Sequence, residues 1–299
     1  MKSILIMAAG NGSRYGTLKQ FDELGPVGEF LFEFSVYDAI AEGFDQVVLI
    51  TKKEHVDILH SYLHQRIPNS IQLDVLAQQV NDLPEGVLFK GTRDKPWGTA
   101  HAVWTARKVI RGPFVVINAD DYYGRTSMKR AVDFIARNRE KLVFGSVPYI
   151  LSETLSKEGS VSRAVCLAKD DSLSHIVEYL EIIKNEKGLF DLETNQAFSG
   201  DELTSMNFWI FTPEVFTLIN RDLEYFINSI STENSQEIYI PRQIQKWISA
   251  GEAEVKLTDT ADNWFGITYR NDKEKARKEL LSKTDDGAYS SPLWNHFNT

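Results

Sequence analysis

Three short stretches of this chain combine residue types suited to the chemistry of phosphates. The first is Ala8-Ala9-Gly10-Asn11-Gly12-Ser13-Arg14, followed by Lys19. Its small residues let backbone N–H groups approach phosphate oxygens closely, and Arg14 and Lys19 add fixed positive charge. The second is Pro96-Trp97-Gly98-Thr99-Ala100-His101-Ala102, where Gly98-Thr99 can present backbone N–H groups at a helix N-terminus with Thr99 as the cap. The third is an apolar run over residues 114–118 that stops in Ala119-Asp120-Asp121. Ionised carboxylates at the end of a buried strand suit a divalent cation. Each stretch also has a plain structural reading: a glycine turn, a helix cap, a solvated turn after a strand. Two standard phosphate loops do not fit the first stretch. A G-x-G-x-x-G loop needs glycine where Tyr15 stands, and a G-K-[ST] ending is missing. No Ser-His-Asp or Cys-His set points to covalent catalysis. His101 has no second His at ligand spacing and reads as a packing or hydrogen-bonding residue.

Chemistry at these positions needs strands that end together. Residues 3–8, 46–51, 71–77, 114–118 and 142–148 read as strands, with helices over 28–42, 54–66, 99–110 and 127–138 between them. This βαβα order predicts a Rossmann-like three-layer αβα sandwich with a mixed, mostly parallel central sheet. Open sheets of this kind bind ligands outside the carboxyl ends of their strands, where the first and third stretches fall. After residue 150 the pattern changes. Residues 161–168 and 174–180 predict a hairpin across Lys169-Asp170-Asp171, and 205–211 a single strand followed by a helix to Asn220. A helix over 238–250, a strand over 254–258 and a charged helix over 272–281 follow, and residues 284–299 show no period.

On its glycine stretch the chain resembles the sugar nucleotidyltransferase (nucleoside-triphosphate transferase) superfamily. That family opens with two small residues, G-x-G-x-R, a short spacer and a Lys, directly after an N-terminal strand. Residues 8–14 with Lys19 fit this pattern fully. The resemblance, to sugar-1-phosphate nucleotidylyltransferases in particular, implies that Ala8, Ala9, Gly10, Asn11 and Gly12 wrap a triphosphate and that Arg14 and Lys19 are catalytic. It implies nucleotide contacts from Gly98 and Thr99 and from a base-reading Gln. Gln78 and Gln79 are both candidates, because residues 80–95 lengthen the usual spacing. It implies Mg2+ as cofactor, held by Asp120 and a second residue far along the chain. One alignment by eye places Asp262 there; another, anchored on Trp264-Phe265, places Gly266, which has no ligand. On the acceptor side it implies Gly159, Glu178 and Asn207. The Lys that follows the Glu in many relatives is Tyr179 here, with Lys184 as a candidate substitute.

The resemblance implies a catalytic domain over residues 1–270, with a nucleotide half at about 1–125 and an acceptor half at about 140–270, then a helix and tail over 271–299. The implied reaction moves a nucleoside monophosphate from an NTP to a sugar 1-phosphate, forming a nucleotide sugar and pyrophosphate. Two alternatives stand beside it. One is a cytidylyltransferase for a non-sugar alcohol phosphate. The other is a non-catalytic nucleotide- or sugar-sensing protein with a degenerate site, which Tyr179 and Gly266 favour.

Composition narrows the partners. The chain has 299 residues, 42% hydrophobic and 25% charged, which suits a globular protein with a sizeable core. A formal net charge of -9 argues against bulk attraction to nucleic acid or anionic membrane, so phosphates must meet a local cluster of donors. Cys166, the sole cysteine, excludes an internal disulfide and a multi-cysteine zinc site, and a single thiol is compatible with a reducing cytoplasm. No apolar run reaches the ~18 to 20 residues of a spanning helix. The expected partners are an NTP and a phosphorylated small molecule, with no nucleic acid and no membrane, in the cytoplasm.

Overall fold

A computed structural model describes residues 1–10, 21–230, 236–259 and 263–297. Asn11, Gly12, Arg14, Lys19 and Asp262 therefore lie outside the described residues. Four parallel strands form one half of the sheet: β1 (Ser3–Met7), β2 (Gln46–Thr51), β3 (Gln72–Ala77) and β4 (Phe114–Asn118). The crossovers carry α1 (Leu31–Ala41), α2 (Val56–His64) and α3 (Thr99–Thr105). After β4 come β5 (Asp121–Tyr122), α4 (Arg125–Arg137), β6 (Val143–Ser146) and β7 (Tyr149–Ile150). The second half adds β8 (Val161–Lys169), β9 (Ser172–Asn185), β10 (Gly188–Asp191), β11 (Ala197–Phe198), β12 (Leu203–Ser205) and β13 (Trp209–Phe211). It closes with α5 (Val215–Ser229), α6 (Ile240–Ser249), β14 (Glu254–Leu257), β15 (Phe265–Gly266) and α7 (Asp272–Asp285).

The main sheet runs β3-β2-β1-β4-β13-β6-β14-β9-β8-β12-β7. Successive side chains of the central strands enter two cores. Ile4, Ile6, Val47, Leu49, Val115 and Ile117 pack under α1, α2, α4 and α7. Leu5, Val48, Ile50, Phe114 and Val116 pack under α3, α5 and α6. Burial on both faces is why β1, β2 and β4 read as unbroken apolar runs. At about 1.5 to 3 kcal/mol per buried aliphatic side chain, these strands anchor the edge where ligands are expected.

The sheet is mixed and three-layered, as expected, but its parallel part is confined to β1–β4 and the β6–β14 pair. The rest is antiparallel, because short links such as the Asp170-Asp171 turn between β8 and β9 permit only a hairpin. The stretch over residues 205–211 is two strands, not one. β12 pairs with β7 and β8, whereas β13 pairs with β4 and β6, and Asn207 between them has φ 59°. Asn tolerates this left-handed conformation better than most residues, so the chain can leave one part of the sheet and enter another. α1 starts at Leu31 rather than at residue 28, because Leu24 and Gly25 donate to the Glu29 carbonyl and close a turn first. α5 runs on to Ser229 with Val215, Ile219, Leu223 and Ile227 buried at a four-residue spacing.

The aperiodic tail is part of the core. Tyr289, Leu293 and Trp294 are buried against α1. Trp294 Nε1 donates to Glu33 (2.8 Å), the Tyr289 hydroxyl to Asp38 (2.8 Å) and the Leu293 amide to Glu29 (3.1 Å). Sequence periodicity misses such a segment because it docks through single side chains.

Candidate functional site

The parallel register of β1 and β4 places Met7 opposite Asn118. The Ala119 amide then donates to Met7 (3.2 Å) and the Ala8 amide to Ile50 (2.7 Å). Ala8, Ala9 and Gly10 therefore leave the sheet beside Asp120. From β1 the chain builds β2 and β3 on one side, and β4 joins on the other. The crevice between β1 and β4 is thus a topological switch point, the usual ligand position in open α/β sheets. Ala8 and Ala9 are 2% and 4% exposed, so larger residues would have to displace core atoms.

A cleft of about 610 Å³ opens beside this edge, lined by Asn118, Asp120, Asp121, Arg163, Glu178, Asn207 and Trp264 among others. The two aspartates differ. Asp121 is 6% exposed and accepts from Asn118 Nδ2 (2.8 Å) and the Tyr123 hydroxyl (3.2 Å). Burial, reinforced by the Asp121 charge, pushes the Tyr123 phenol well up, so it stays protonated as a donor. Asp120 is only half-buried, and its carbonyl accepts from Ile267 (3.0 Å). β15 pairs with β5 and puts Gly266 opposite Asp121. A Cβ at Gly266 would run into the Asp121 carboxylate and the Trp264 ring. Glycine is a packing requirement at that position.

Asn207 reaches the cleft because β13 runs antiparallel to β4, so the start of one lies beside the end of the other. Its Nδ2 donates to Asn118 Oδ1 (3.4 Å), its Oδ1 accepts from Trp209 Nε1 (3.3 Å), and its amide donates to Ser205 Oγ (3.2 Å). Glu178 sits on β9 opposite Ala164 and pairs with Arg242 of α6 at 3.5 Å. The cleft thus gathers Asp120, Glu178 and Asn207 from three distant parts of the chain. Gly159 does not line it. That glycine packs against Tyr269, whose hydroxyl donates to the Ser160 carbonyl (2.5 Å). Neither Tyr179, edge-on to Phe198, nor the exposed Lys184 lines it either.

On the other side of β1, the ends of β2 and β3 carry a second cluster. The Gln78 amide donates to Thr51 (2.8 Å), and Gln78 Nε2 donates to the Gly98 carbonyl (3.0 Å) and lies 3.0 Å from His101 Nδ1. His101 Nε2 lies 2.7 Å from the Asp82 carbonyl, which assigns the proton to Nε2. Burial pulls the imidazole below its usual range, against the opposing pull of Asp82. Gln79 is exposed. Thr99 does not cap its own helix: its hydroxyl accepts from the Ile240 amide (3.0 Å) and so caps α6. The Ala100 amide donates to Ile238 (3.1 Å), so this helix start is docked on the 238–240 segment. Gly98, with φ 105°, is needed there because a Cβ would lie 2.6 Å from the Ile238 carbonyl oxygen.

Sequence reasoning missed Arg163 and the cleft-facing role of Trp264. Arg163 lies opposite Tyr179 across the β8–β9 hairpin, a neighbour that only the strand register reveals. Among the described residues no group of three or more His, Cys, Asp or Glu is placed to hold a metal. Asp120 alone still fits a hard cation such as Mg2+, which takes one or two carboxylates and completes its shell with water and substrate phosphates. No helix among the described residues is long and apolar enough to cross a membrane.

A family model described as "Nucleotidyl transferase" matches residues 3–265. Two solved structures share the fold. An inositol-1-phosphate CTP transferase from T. maritima is 16% identical with a TM-score of 0.62, covering 96% of this chain and 97% of that one. A candidate glucose-1-phosphate thymidylyltransferase from Bacillus anthracis, in complex with a sucrose, is 16% identical with a TM-score of 0.59, covering 94% and 95%. No curated protein matches the chain.

Proposed function

We propose that this chain, which belongs to the nucleotidyl transferase family, joins a nucleoside monophosphate from an NTP to a sugar 1-phosphate and releases pyrophosphate. The observation that carries this reading is the convergence of Asp120, at the end of β4 beside Ala8 to Gly10, with Glu178 and Asn207 in one cleft. The first group suits a triphosphate and the second suits hydroxyls. In this reading residues 1–125 hold the nucleotide and residues 140–270 the acceptor. The backbone of Ala8 to Gly12 cradles the triphosphate, Arg14 and Lys19 neutralise it, and Gln79 at the end of β3 meets the base while Gln78 holds the Gly98 turn.

Two anions must approach each other, so the first task of the site is charge neutralisation. Asp120, with Asp262 as its proposed companion, would hold Mg2+, which when bound offsets charge on the phosphates. The attacking phosphate oxygen is already ionised at neutral pH, and in-line displacement at the α-phosphorus needs positioning more than a general base. That matches a cleft in which Asn118 and Asn207 are fixed by hydrogen bonds to their neighbours.

A second acceptor class fits the same residues. Glu178 and Asn207 recognise hydroxyls whether or not these belong to a sugar ring, and the T. maritima structure is described as acting on inositol 1-phosphate. A pyrophosphate-release screen pairing each NTP with glucose 1-phosphate, other sugar 1-phosphates and inositol 1-phosphate separates the two. Turnover with a sugar 1-phosphate supports the first reading, and turnover with inositol 1-phosphate and CTP alone supports the second. No release with any pair returns the chain to a non-catalytic sensing role.

A further inference from the structure

The family match covers residues 3–265, and α7 and the tail lie beyond it. Yet the tail reaches the strand end that carries the aspartates. β5 and β15 form a separate two-stranded ladder, with Phe265 opposite Tyr122 and Gly266 opposite Asp121. The Ile267 amide extends it to the Asp120 carbonyl (3.0 Å). Two short strands paired only with each other are marginally stable. The place of Asp120 against β15 therefore depends on what holds Tyr122.

Tyr122 is buried and makes three contacts that bear on this. Its ring stacks on Phe265, with centroids 4.5 Å apart and 11° between the planes. The Lys283 ammonium of α7 lies 5.1 Å from the same ring centroid. Its hydroxyl lies 2.7 Å from the hydroxyl of Tyr289. Tyr289 gives its one hydroxyl proton to Asp38 of α1 (2.8 Å), so Tyr122 is the donor within the pair. A directed chain thus runs from Tyr122 to Tyr289 to Asp38, from β5 through the tail to α1. Burial, with the Asp38 charge beside it, pushes the Tyr289 phenol far up, so it stays a donor at neutral pH. The Tyr289 ring is buried edge-on to Phe34 and Tyr37, with centroids 5.0 and 5.6 Å away. Breaking such a chain is costly, because it leaves unpaired polar atoms in the core.

We propose that Tyr289 is a positioning residue: through Tyr122 it fixes the β5–β15 ladder and with it Asp120, so that the C-terminal tail straps the metal-binding edge in place. This rests on the reading that Asp120 holds the metal ion. Tyr289→Phe keeps the ring and removes the hydroxyl. Amide hydrogen exchange is followed at Ile267, on the ladder, and at Ala119, whose amide bonds to Met7 at the end of β4. Exchange at Ile267 rises roughly 3- to 30-fold, the scale of one to two lost hydrogen bonds, while Ala119 keeps its wild-type rate. The dissociation constant for Mn2+, titrated with CTP and with dTTP by paramagnetic resonance, rises ~3- to 10-fold. Trp247→Phe is the control: it removes a buried indole hydrogen bond to Asp222 (2.6 Å) in the other core and moves neither quantity. Should Tyr289→Phe fail to fold, Tyr122→Phe breaks the same hydroxyl pair and keeps a ring against Phe265.

Equal rises at Ile267 and Ala119, or the same changes in Trp247→Phe, would make the hydroxyl pair a general stabiliser and overturn the positioning role. Wild-type Ile267 exchange or wild-type Mn2+ affinity in the folded variants overturns it as well. The transfer reaction fails on a different result. Selective Ile267 exchange in the variants, with a wild-type protein that binds no Mn2+ and releases no pyrophosphate from any substrate pair, sinks metal-dependent transfer and leaves the strap standing.

Discussion

The two walls of the cleft are built by different means. On the proposed nucleotide side, β1 and β4 are parallel, buried on both faces, and place their groups by where the strands end. On the proposed acceptor side, β9 is exposed along much of its length and pairs with β8 in a hairpin, and Asn207 stands at a left-handed break between two strands. Position comes from the backbone on one side and from register and turn geometry on the other. Damage should differ accordingly: the nucleotide wall loses turnover or fold, and the acceptor wall loses acceptor affinity.

The largest effect is expected at the switch point. Asp120→Asn should remove metal-dependent pyrophosphate release, a loss of several kcal/mol, on the order of 10³-fold or more in turnover. Arg14→Ala should cost roughly 10²- to 10³-fold, the scale of one transition-state donor. Both are read from initial rates against Mg2+ concentration. An Asp120→Asn enzyme with unchanged metal dependence would break the assignment of charge neutralisation to this wall.

Fold should be the next casualty on the same wall. Gly98→Ala combines a left-handed φ with a close approach to the Ile238 carbonyl, and should lower stability by about 2 to 4 kcal/mol. Gly86 has φ +78° but no atom within 4 Å of a built Cβ, so Gly86→Ala should cost only about 1 to 2 kcal/mol. The difference between their urea midpoints isolates the contact between α3 and the 238–240 segment. Equal shifts would mean that φ alone matters at both sites.

Asn207→Gly tests the other wall. Glycine accepts the left-handed φ, so the fold should hold while the amide is lost. The acceptor KM should rise roughly tenfold with the NTP KM unchanged, the worth of one hydrogen bond. A parallel rise in both constants would erase the distinction between the walls.

This difference also explains what the sequence disclosed. β2 and β4 were legible to the residue, because burial on both faces leaves a continuous apolar run bounded by polar residues. The place of Asp120 just past the strand end was legible for the same reason, as the first acidic residue after such a run. The break at Asn207 was not, because Met206 to Phe211 keeps strand-like composition while the chain changes neighbours. The place of Arg163 in the cleft lining was invisible because it is set by Tyr179 and Trp264, one across a hairpin and the other about a hundred residues downstream. The tail escaped because Trp294 and Tyr289 are read by Glu33 and Asp38, each contact spanning most of the chain.

The smallest effect lies at His101, which joins the Gln78–Gly98 turn to Asp82. Burial holds its folded-state pKa below the usual value of about 6.5, so the native protein keeps the ring neutral while the unfolded chain takes up a proton more readily. Stability rises with pH wherever the unfolded state binds more protons. The contribution is therefore fully present above about pH 6.5 and falls away as the pH drops toward the lowered pKa, by at most about 1.4 kcal/mol per pH unit. His101→Gln removes this titration and leaves the other five histidines in place. The difference between wild-type and variant unfolding free energies should shrink as the pH falls from 7 to 5. Acceptor KM should not follow that change, since neither Gln78 nor His101 lines the cleft. A difference that stays constant over this range would assign the acid sensitivity to other groups, and an acceptor KM that tracked it would show the two walls to be mechanically joined.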